Sequence, residues 1–291
     1  MVESLREEEW MQAGGYEAEM RHMDETAAAG QRRGLGRRAR GLPLPSALFP
    51  LAPLTVVVGH YGVGKTNFSL NLALDAAGAG RRATLVDLDV VNPYFRSSDY
   101  GILLKDRGVE VVSPVFADTT LETPSLSGRI DAVIGAAGED CPVILDVGGD
   151  EVGATALGRF AQKIQARPFA MWYVVNAYRN LIQDPADAAG LLRDIEAKSG
   201  LRATGLVNNS HLQAATTPET LAAALPFAEA VVRLTGLPLV ATTVPASVCG
   251  SVEEADRPKA GASPESSAFF PGEPPQGAYL VQVYVRTPWE H

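Results

Sequence analysis

The sequence predicts an α/β protein whose mostly parallel sheet carries helices on both faces. Between residues 51 and 245, short apolar runs alternate with segments of helical length, which is the order of elements in a parallel sheet with crossover helices. These runs are continuously hydrophobic rather than alternating, as in strands that are buried on both faces. Right-handed crossovers then bring the loops that follow the strands to one edge of the sheet, where ligands bind.

The pattern places the elements in a definite order. We predict strands at 55–58, 83–87, 109–113, 143–146, 169–176, 203–207 and 239–242. We predict helices at 67–75, 125–137, 154–165, 187–199 and 218–235. Along residues 278–286, successive side chains fall on opposite sides of the extended chain. This pattern is typical of an edge strand or of a partner contact.

Three regions differ in composition. Residues 1–50 contain an acidic stretch, a basic stretch and no sustained apolar period, so we predict a disordered extension that cannot offset its ordering entropy. Its arginine cluster is interpreted as a solvated tail, with a tether to anionic lipid or nucleic acid as the alternative. Residues 51–248 form the predicted folded domain. Residues 249–291 are predicted to be a flexible Pro- and Gly-rich segment followed by the C-terminal edge strand.

Charge and cysteine content narrow the function classes. The formal net charge of -9 argues against nucleic acid as the main partner. Cys141 and Cys249 are the only cysteines, too few for a disulfide framework or a zinc site, so a reducing cytoplasm is the expected compartment. No apolar run reaches the roughly 18 residues of a membrane-spanning helix, and no transmembrane segment is expected.

The segment 59–66, GHYGVGKT, fits G-x-x-x-x-G-K-[ST], the phosphate-binding loop. Its glycines let successive main-chain N–H groups point into one concavity, to which the following helix adds positive charge. Lys65 would neutralise the β- and γ-phosphates, and the Thr66 hydroxyl would ligate Mg²⁺. A glycine-rich turn that matches by chance is the alternative. The residues expected to bind the nucleotide are Gly59, His60, Tyr61, Gly62, Val63, Gly64, Lys65, Thr66 and Asn67.

Carboxylates follow the second and fourth predicted strands. Asp87 and Asp89 are two positions apart in an extended segment, so their side chains can face the same way. We predict that Asp89 holds Mg²⁺ through a bound water or orients the water that attacks the γ-phosphate; a helix cap or a turn is the alternative. Asp146, with Gly149 three residues later, fits a metal-side aspartate followed by a glycine that senses a γ-phosphate.

Asn208 directly follows the sixth predicted strand. Its carbonyl and amide could read the edge of a purine, although Asn208 and Asn209 are explained equally well as turn residues. The chain lacks N-K-x-D, the usual guanine reader of GTPases. Adenine is therefore the predicted base, and ATP with Mg²⁺ is the predicted ligand.

Four features of the chain together resemble the MinD/ParA-like and CobQ/CobB-like P-loop NTPases. They are the loop at 59–66, the Asp87-x-Asp89 pair, the Asp146-x-Gly-Gly149 loop and the strand-end Asn208. These proteins belong to the signal recognition particle, MinD and dethiobiotin synthetase class and have a deviant Walker A loop. The resemblance covers residues 51–245 and implies a parallel sheet, Mg²⁺-ATP binding, slow hydrolysis and often a nucleotide-dependent homodimer.

The chain departs from this family at His60. MinD and ParA proteins carry a signature lysine there, which reaches the phosphates of the partner subunit. A histidine side chain is shorter than lysine and lacks a permanent charge, so it replaces a fixed cation poorly. Tyr61 stands where a glycine is usual and leaves less room for a second subunit.

The sequence therefore predicts a Mg²⁺-dependent ATP-binding protein with slow ATPase activity, a nucleotide switch with an unknown protein partner. Lys65 and Asp89 are its predicted catalytic residues. The alternative is a metabolic enzyme that uses ATP to phosphorylate a small carboxylic acid, as dethiobiotin synthetase and CobQ-like enzymes do. In that enzyme, Tyr94, Arg96 and the segment 119–120 would form the acceptor site.

Overall fold

A single parallel sheet organises the chain. The computed structural model describes residues 51–89, 100–113, 124–149, 151–179, 184–249 and 278–285. In these ranges the strands are β1 Leu54–Gly59, β2 Thr84–Leu88, β3 Glu110–Val112, β4 Val143–Val147, β5 Phe169–Val175, β6 Gly205–Asn208, β7 Leu239–Pro245 and β8 Ala278–Val281. Their order in space is β3-β2-β4-β1-β5-β6-β7-β8, and every pair is parallel. The predicted fold class is confirmed.

Helices connect these strands. They are α1 Lys65–Gly78, α2 Gly101–Asp106, α3 Pro124–Ala136, α4 Glu151–Gly158, α5 Ala161–Gln165, α6 Pro185–Ser199, α7 Pro218–Thr235 and α8 Ala246–Cys249, with a short 3₁₀ turn at Gln213–Ala215. The short helices α2 and α8 were not predicted. Across the described ranges, each helix is too short or too polar to cross a lipid bilayer.

The predicted helix at 154–165 is two helices. α4 ends at Gly158, where an added Cβ would lie 3.0 Å from the carbonyl oxygen of Lys198 on α6. Glycine therefore permits the close approach of these two backbones. The chain turns at Phe160, whose ring is buried, and the amide of Phe160 bonds the carbonyl of Leu157. Helix α5 then starts at Ala161, so one predicted helix is two elements.

Two later helices begin at capping residues that are recognisable in the sequence. Asp184 precedes α6 and accepts a hydrogen bond from the Ala186 amide at 2.8 Å. Thr217 precedes α7 and forms a reciprocal capping box with Thr220. Such caps satisfy main-chain donors that have no partner within the helix. These contacts fix the observed starts of both helices, which lie within two residues of the predicted ones.

The sheet has one hydrophobic core on each face. Successive residues of β1 point to opposite sides, so Val56 and Val58 belong to one core and Val57 to the other. Each of these three side chains is at most 1% exposed. Burial on both faces explains why the strands are continuously hydrophobic.

Helix α1 packs on the core that contains Val57, and most of its side chains are buried. The Phe68 ring lies 6.0 Å from the Trp172 ring of β5 and 5.8 Å from the Tyr279 ring of β8. The Tyr279 hydroxyl donates to Asp75 Oδ2 at 2.5 Å, and burial raises the pKa of both Tyr279 and Asp75. Strand β8 is thereby fixed to α1 as well as to β7.

Within the predicted C-terminal strand 278–286, the structure has a four-residue strand, β8. Strand β8 lies at the edge of the sheet, paired only with β7 among the described strands, and its alternate residues Tyr279 and Val281 are buried. It ends at Val281 rather than at residue 286. Beyond that point, the main chain bonds to side chains of α1 instead of to β7.

Candidate functional site

The loop between β1 and α1 forms a cup around Lys65. Gly62 and Gly64 have positive φ angles of 76° and 92°, a conformation that side chains with a Cβ rarely adopt. Lys65 is only 6% exposed, and its Nζ donates to the His60 carbonyl at 2.9 Å. The Lys65 side chain therefore folds back to the start of the loop, five residues earlier in the chain. A buried strand, this loop and a buried helix follow one another as the sequence predicted.

Neighbouring strands lock the loop in place. A Cβ on Gly59 would overlap the Val174 carbonyl oxygen of β5, and a Cβ on Gly64 would overlap Asn209 Nδ2. That Nδ2 donates to the Val63 carbonyl at 2.7 Å. The glycines at 59 and 64 are therefore required by close approach, and the loop after β6 supports the phosphate-binding loop directly.

The loop after β4 closes on the same cup. A Cβ on Gly149 would collide with the main chain of Tyr61, and a Cβ on Gly148 would lie 3.2 Å from Asp89 Oδ1. The sequence predicted that Gly149 lies where a γ-phosphate is sensed. Gly149 does contact the phosphate-binding loop, and its contact there is with Tyr61.

The three aspartates occupy different positions. Asp87 and Asp146 are paired in register on β2 and β4, and each is 1% exposed. Asp87 Oδ1 accepts a hydrogen bond from the Asp89 amide at 2.9 Å, which shapes the turn after β2. Asp146 Oδ1 accepts from the Ser69 hydroxyl at 3.3 Å. The predicted metal-side Asp146 is thus held in the layer between sheet and α1, and of the three only Asp89 lines the cavity.

A cavity of about 160 Å³ opens at this edge of the sheet. Its lining includes many of the predicted site residues. They are Tyr61, Gly62, Gly64, Lys65, Thr66, Asn67 and Asp89. The rest of the lining was not predicted as site residues and consists of Asn176, Arg179, Asn209, His211, Gln213, Val283 and Val285.

Three residues of the predicted loop do not line the cavity. Gly59 and Val63 are buried behind it, although the Val63 carbonyl anchors Asn209. The His60 ring is directed to the Tyr61 carbonyl, which lies 3.1 Å from His60 Nδ1. His60 contributes its main-chain carbonyl to Lys65, and its side chain takes no part in the cavity wall.

Asn208, the predicted base reader, does not line the cavity either. It is fully buried, with its Nδ2 at 3.5 Å from Thr242 Oγ1 and its Oδ1 accepting from the Ser210 amide at 3.3 Å. Its neighbour Asn209 lines the cavity instead. Side chains of consecutive strand-end residues point to opposite sides, so a shift of one residue decides which asparagine faces the cavity.

His211 is a buried part of the cavity wall. Its Nδ1 accepts a hydrogen bond from the Gln213 amide at 3.2 Å, so the other ring nitrogen carries the hydrogen of the neutral ring. Burial, together with the charge of Arg179, lowers the pKa of His211 to about 4. Gln213 has a φ of 53°, the one positive value at a non-glycine residue in the described ranges, and this strained turn holds its amide against the ring.

The C-terminal segment 282–285 forms one wall of the cavity and is held by two asparagines of α1. Asn67 Oδ1 accepts from the Tyr284 amide at 2.8 Å and the Val285 amide at 3.2 Å. Asn71 Oδ1 accepts from the Gln282 amide at 2.7 Å. The Nδ2 groups of both asparagines donate to the Gln282 carbonyl, at 3.0 and 2.9 Å. The Asn67 side chain, predicted to bind nucleotide, is therefore engaged by the protein itself.

The sequence contained a signal for some of the cavity-lining residues that were not predicted. Asn176 and Arg179 follow β5 and could have been included because every loop after a parallel strand lies at the same edge. No local signal marks Val283 and Val285, whose place depends on the pairing of β8 with β7 at the far edge of the sheet.

The residues present fit a magnesium ion. Thr66 and Asp89 line the cavity with Lys65, and Mg²⁺ is bound in such sites by one or two protein oxygens with phosphates and water. Tyr94, Arg96 and the segment 119–120 lie outside the described residues. The acceptor site of the alternative metabolic enzyme depended on them.

No protein-family model matches the chain, and no curated protein sequence matches it significantly. Solved structures that are similar to it include FtsY from Mycoplasma mycoides, with 17% identity, a TM-score of 0.46, and 66% of this chain and 59% of that chain covered. Cell division protein FtsY from Thermotoga maritima shares 19% identity, with a TM-score of 0.46 and coverages of 66% and 61%.

A third solved structure is the signal recognition particle 54 kDa protein from Aeropyrum pernix in complex with GDP. It shares 16% identity with this chain, has a TM-score of 0.46, and is aligned over 76% of this chain and 53% of its own. The chain thus spans 53–61% of the length of these three proteins.

Proposed function

We propose that the chain is a Mg²⁺-dependent ATP-binding protein that hydrolyses ATP slowly and acts as a nucleotide switch of the MinD/ParA kind. One observation carries this proposal. The Lys65 ammonium lies inside a glycine-shaped loop, 2.9 Å from the His60 carbonyl, and shares a cavity with Thr66 and Asp89. A buried cation at the N-terminus of a helix favours a phosphate group.

The chemistry assigned to these residues follows from their types. Lys65 neutralises negative charge on the β- and γ-phosphates as the terminal bond breaks. The Thr66 hydroxyl and the Asp89 carboxylate are the oxygen donors for magnesium, which, when bound, offsets phosphate charge. Asp89 also accepts a hydrogen bond from the attacking water and orients it.

Adenine is the proposed base because the described cavity wall near β6 contains no carboxylate. The lining there includes Asn209, His211 and Gln213, and Gln213 Nε2 donates to the carbonyl of Val285, which lines the same cavity. A carboxylate that accepts from the guanine edge is the group that guanine recognition requires in N-K-x-D proteins, and Asp89 is the one carboxylate of the described lining.

The proposed switch differs from MinD and ParA proteins at residues 60 and 61 of the phosphate-binding loop. Tyr61 is 46% exposed beside the cavity, in the place where a second subunit would approach the phosphates. With His60 turned to its own neighbour, a nucleotide-dependent homodimer would have to close without a lysine from the partner. Size-exclusion chromatography with light scattering, with and without a non-hydrolysable ATP analogue, measures whether a dimer forms.

Titration calorimetry with Mg²⁺-ATP tests the nucleotide site. We expect Lys65→Ala to lower the affinity by about 100-fold or more, because a charge-assisted contact to phosphate is lost from a buried site. Lys105→Ala is the matched control, since Lys105 is exposed on α2 and far from the loop in sequence. GTP and ATP titrated in parallel compare the two bases.

If Lys65→Ala binds Mg²⁺-ATP as the unchanged chain does, the loop is not a nucleotide site. If GTP binds more tightly than ATP, the base assignment fails and the rest of the proposal remains. Phosphate release measured with and without candidate protein partners then shows whether turnover is regulated.

A further inference from the structure

Arg179 lies on the opposite side of the phosphate-binding loop from Asp89. Strand β1, which leads into the loop, has β4 and then β2 on one side and β5 on the other. Asp89 follows β2 and Arg179 follows β5, and both line the same cavity. Because neighbouring strands are about 4.8 Å apart, the two side chains approach the cup from two directions.

The Arg179 guanidinium is close to the loop itself. The nearest atom to a Cβ built on Gly62 is Arg179 Nε, at 4.0 Å. Gly62 is one of the left-handed glycines that shape the cup, and Lys65 lines the cavity beside it. The rim of the cup therefore carries a second positive group in addition to the buried ammonium.

The turn that carries Arg179 is fixed by hydrogen bonds. Asn176 Oδ1 accepts from the Tyr178 amide at 2.9 Å, and the Asn176 carbonyl accepts from the Arg179 amide at 3.3 Å. The Ala177 amide donates to Ser210 Oγ at 2.8 Å. A contact made by a preorganised turn loses less entropy on binding than one made by a mobile loop.

The neighbouring histidine cannot hold the guanidinium in place. Nδ1 of His211 already accepts a hydrogen bond from the Gln213 amide, and the remaining ring nitrogen carries a hydrogen and is no acceptor. The charge of Arg179 contributes to the lowered pKa of His211, so the two groups are near one another. None of the described salt bridges involves Arg179.

We propose that Arg179 contacts the phosphate chain of the bound nucleotide as a second cation beside Lys65. A guanidinium group presents several N–H donors in a plane that matches phosphate oxygens. This inference rests on the proposed function, since it requires a polyphosphate in the cup. It makes Arg179 a binding residue for the phosphate chain.

The test compares Mg²⁺-ATP with Mg²⁺-tripolyphosphate, which has the phosphates and no base, by calorimetry on the full chain. We expect Arg179→Gln to weaken both ligands by about tenfold or more, since a charged contact is lost. Arg179→Lys should restore part of the affinity for both. Arg193→Gln, which changes an exposed arginine of α6, should change neither.

The two ligands separate the outcomes. Weaker ATP binding by Arg179→Gln with unchanged tripolyphosphate binding would place Arg179 at the base or ribose and overturn the inference, and so would no change for either ligand. Both results leave the proposed function intact, because the unchanged chain would still bind ATP. If the unchanged chain binds neither ligand, the proposed function and this inference are both refuted.

Discussion

The side-chain amide of Asn209 donates to the main-chain carbonyl of Val63 at 2.7 Å. This contact joins the end of β6 to the phosphate-binding loop, which follows β1 two strands away. Asn209 Oδ1 is held in turn by the Thr243 hydroxyl at 2.5 Å. The position of the loop therefore depends on the far half of the sheet as well as on its own glycines.

A double-mutant cycle tests this connection. Gly64→Ala places a Cβ where Asn209 Nδ2 lies, at a φ of 92°, and should destabilise the fold by about 2 kcal/mol or more. Asn209→Ala removes the overlapping group, so the double variant should lose less stability than the sum of the two. Urea unfolding of the four proteins measures this coupling.

A matched glycine controls that experiment. Gly128 lies in α3 with no atom within 4 Å of an added Cβ, so Gly128→Ala should be neutral or slightly stabilising. Additive losses in the Gly64 and Asn209 pair would show that the two residues do not interact in solution.

The C-terminal segment should contribute both stability and ligand affinity. Asn71 is 5% exposed and exchanges two hydrogen bonds with Gln282, so Asn71→Ala should lower the free energy of unfolding by about 2 kcal/mol. Asn71 does not line the cavity, whereas Val283 and Val285 do. ATP binding should therefore weaken only because the segment loosens.

Asn71→Asp sharpens this test, since it keeps an acceptor for the Gln282 amide and loses the donor to the Gln282 carbonyl. We expect it to be at least as destabilising as Asn71→Ala, because a carboxylate would face a carbonyl oxygen. Hydrogen exchange of residues 282–285, if unchanged in both variants, would contradict the assigned contacts.

Stability should decrease at acidic pH in a way that depends on His211. Its pKa is lowered from 6.5 to about 4 in the folded chain by burial and by Arg179. Above pH 6.5 the ring is neutral in both states, and between pH 6.5 and 4 only the unfolded chain takes up the proton. The free energy of unfolding should therefore fall as the pH falls through this window, by up to about 3 kcal/mol.

The variant His211→Asn isolates this effect, because an asparagine can still accept from the Gln213 amide and does not titrate. Denaturant unfolding from pH 8 to pH 4 should give a stability difference between the two proteins that is constant above pH 6.5 and shifts in favour of the variant below it. A difference that stays constant to pH 4 would mean that His211 is protonated normally.

ATP hydrolysis should depend on Asp89 more strongly than ATP binding does. Asp89→Asn keeps the amide that donates to Asp87 and removes the carboxylate at the cavity, so we expect ATP hydrolysis to slow by about 100-fold or more. Asp106→Asn, an exposed change on α2, is the control. Phosphate release measured at saturating Mg²⁺-ATP reports the rate, and an unchanged rate would remove Asp89 from the mechanism.

Local patterns were enough for much of the architecture. Continuous apolar runs predicted the strands because the central strands are buried on both faces. The caps Asp184 and Thr217 are visible in the sequence but were not used to place the helix starts. The break at Gly158 was missed since it arises from contact with Lys198, which is distant in sequence.

The residues of the candidate site also fall into those that local sequence predicts and those that it does not. The cup with Lys65, Thr66 and Asp89 was predicted because its residues are neighbours in one strand, turn and helix unit or directly follow a strand. Asn208 and Asp146 were misplaced relative to the cavity, since a strand end that is one residue longer, or a hydrogen bond from Ser69, turns a side chain inward.

By itself, the sequence determined a glycine-rich loop with the phosphate-binding pattern at the edge of a parallel sheet, because glycine conformation, helix position and hydrophobic burial are encoded over short stretches. The tertiary structure alone decided that Arg179, Asn209 and the segment 282–285 share that cavity. The physical reason is that their meeting depends on the order of the strands in space, and strand order is set by packing between residues that are far apart in the chain.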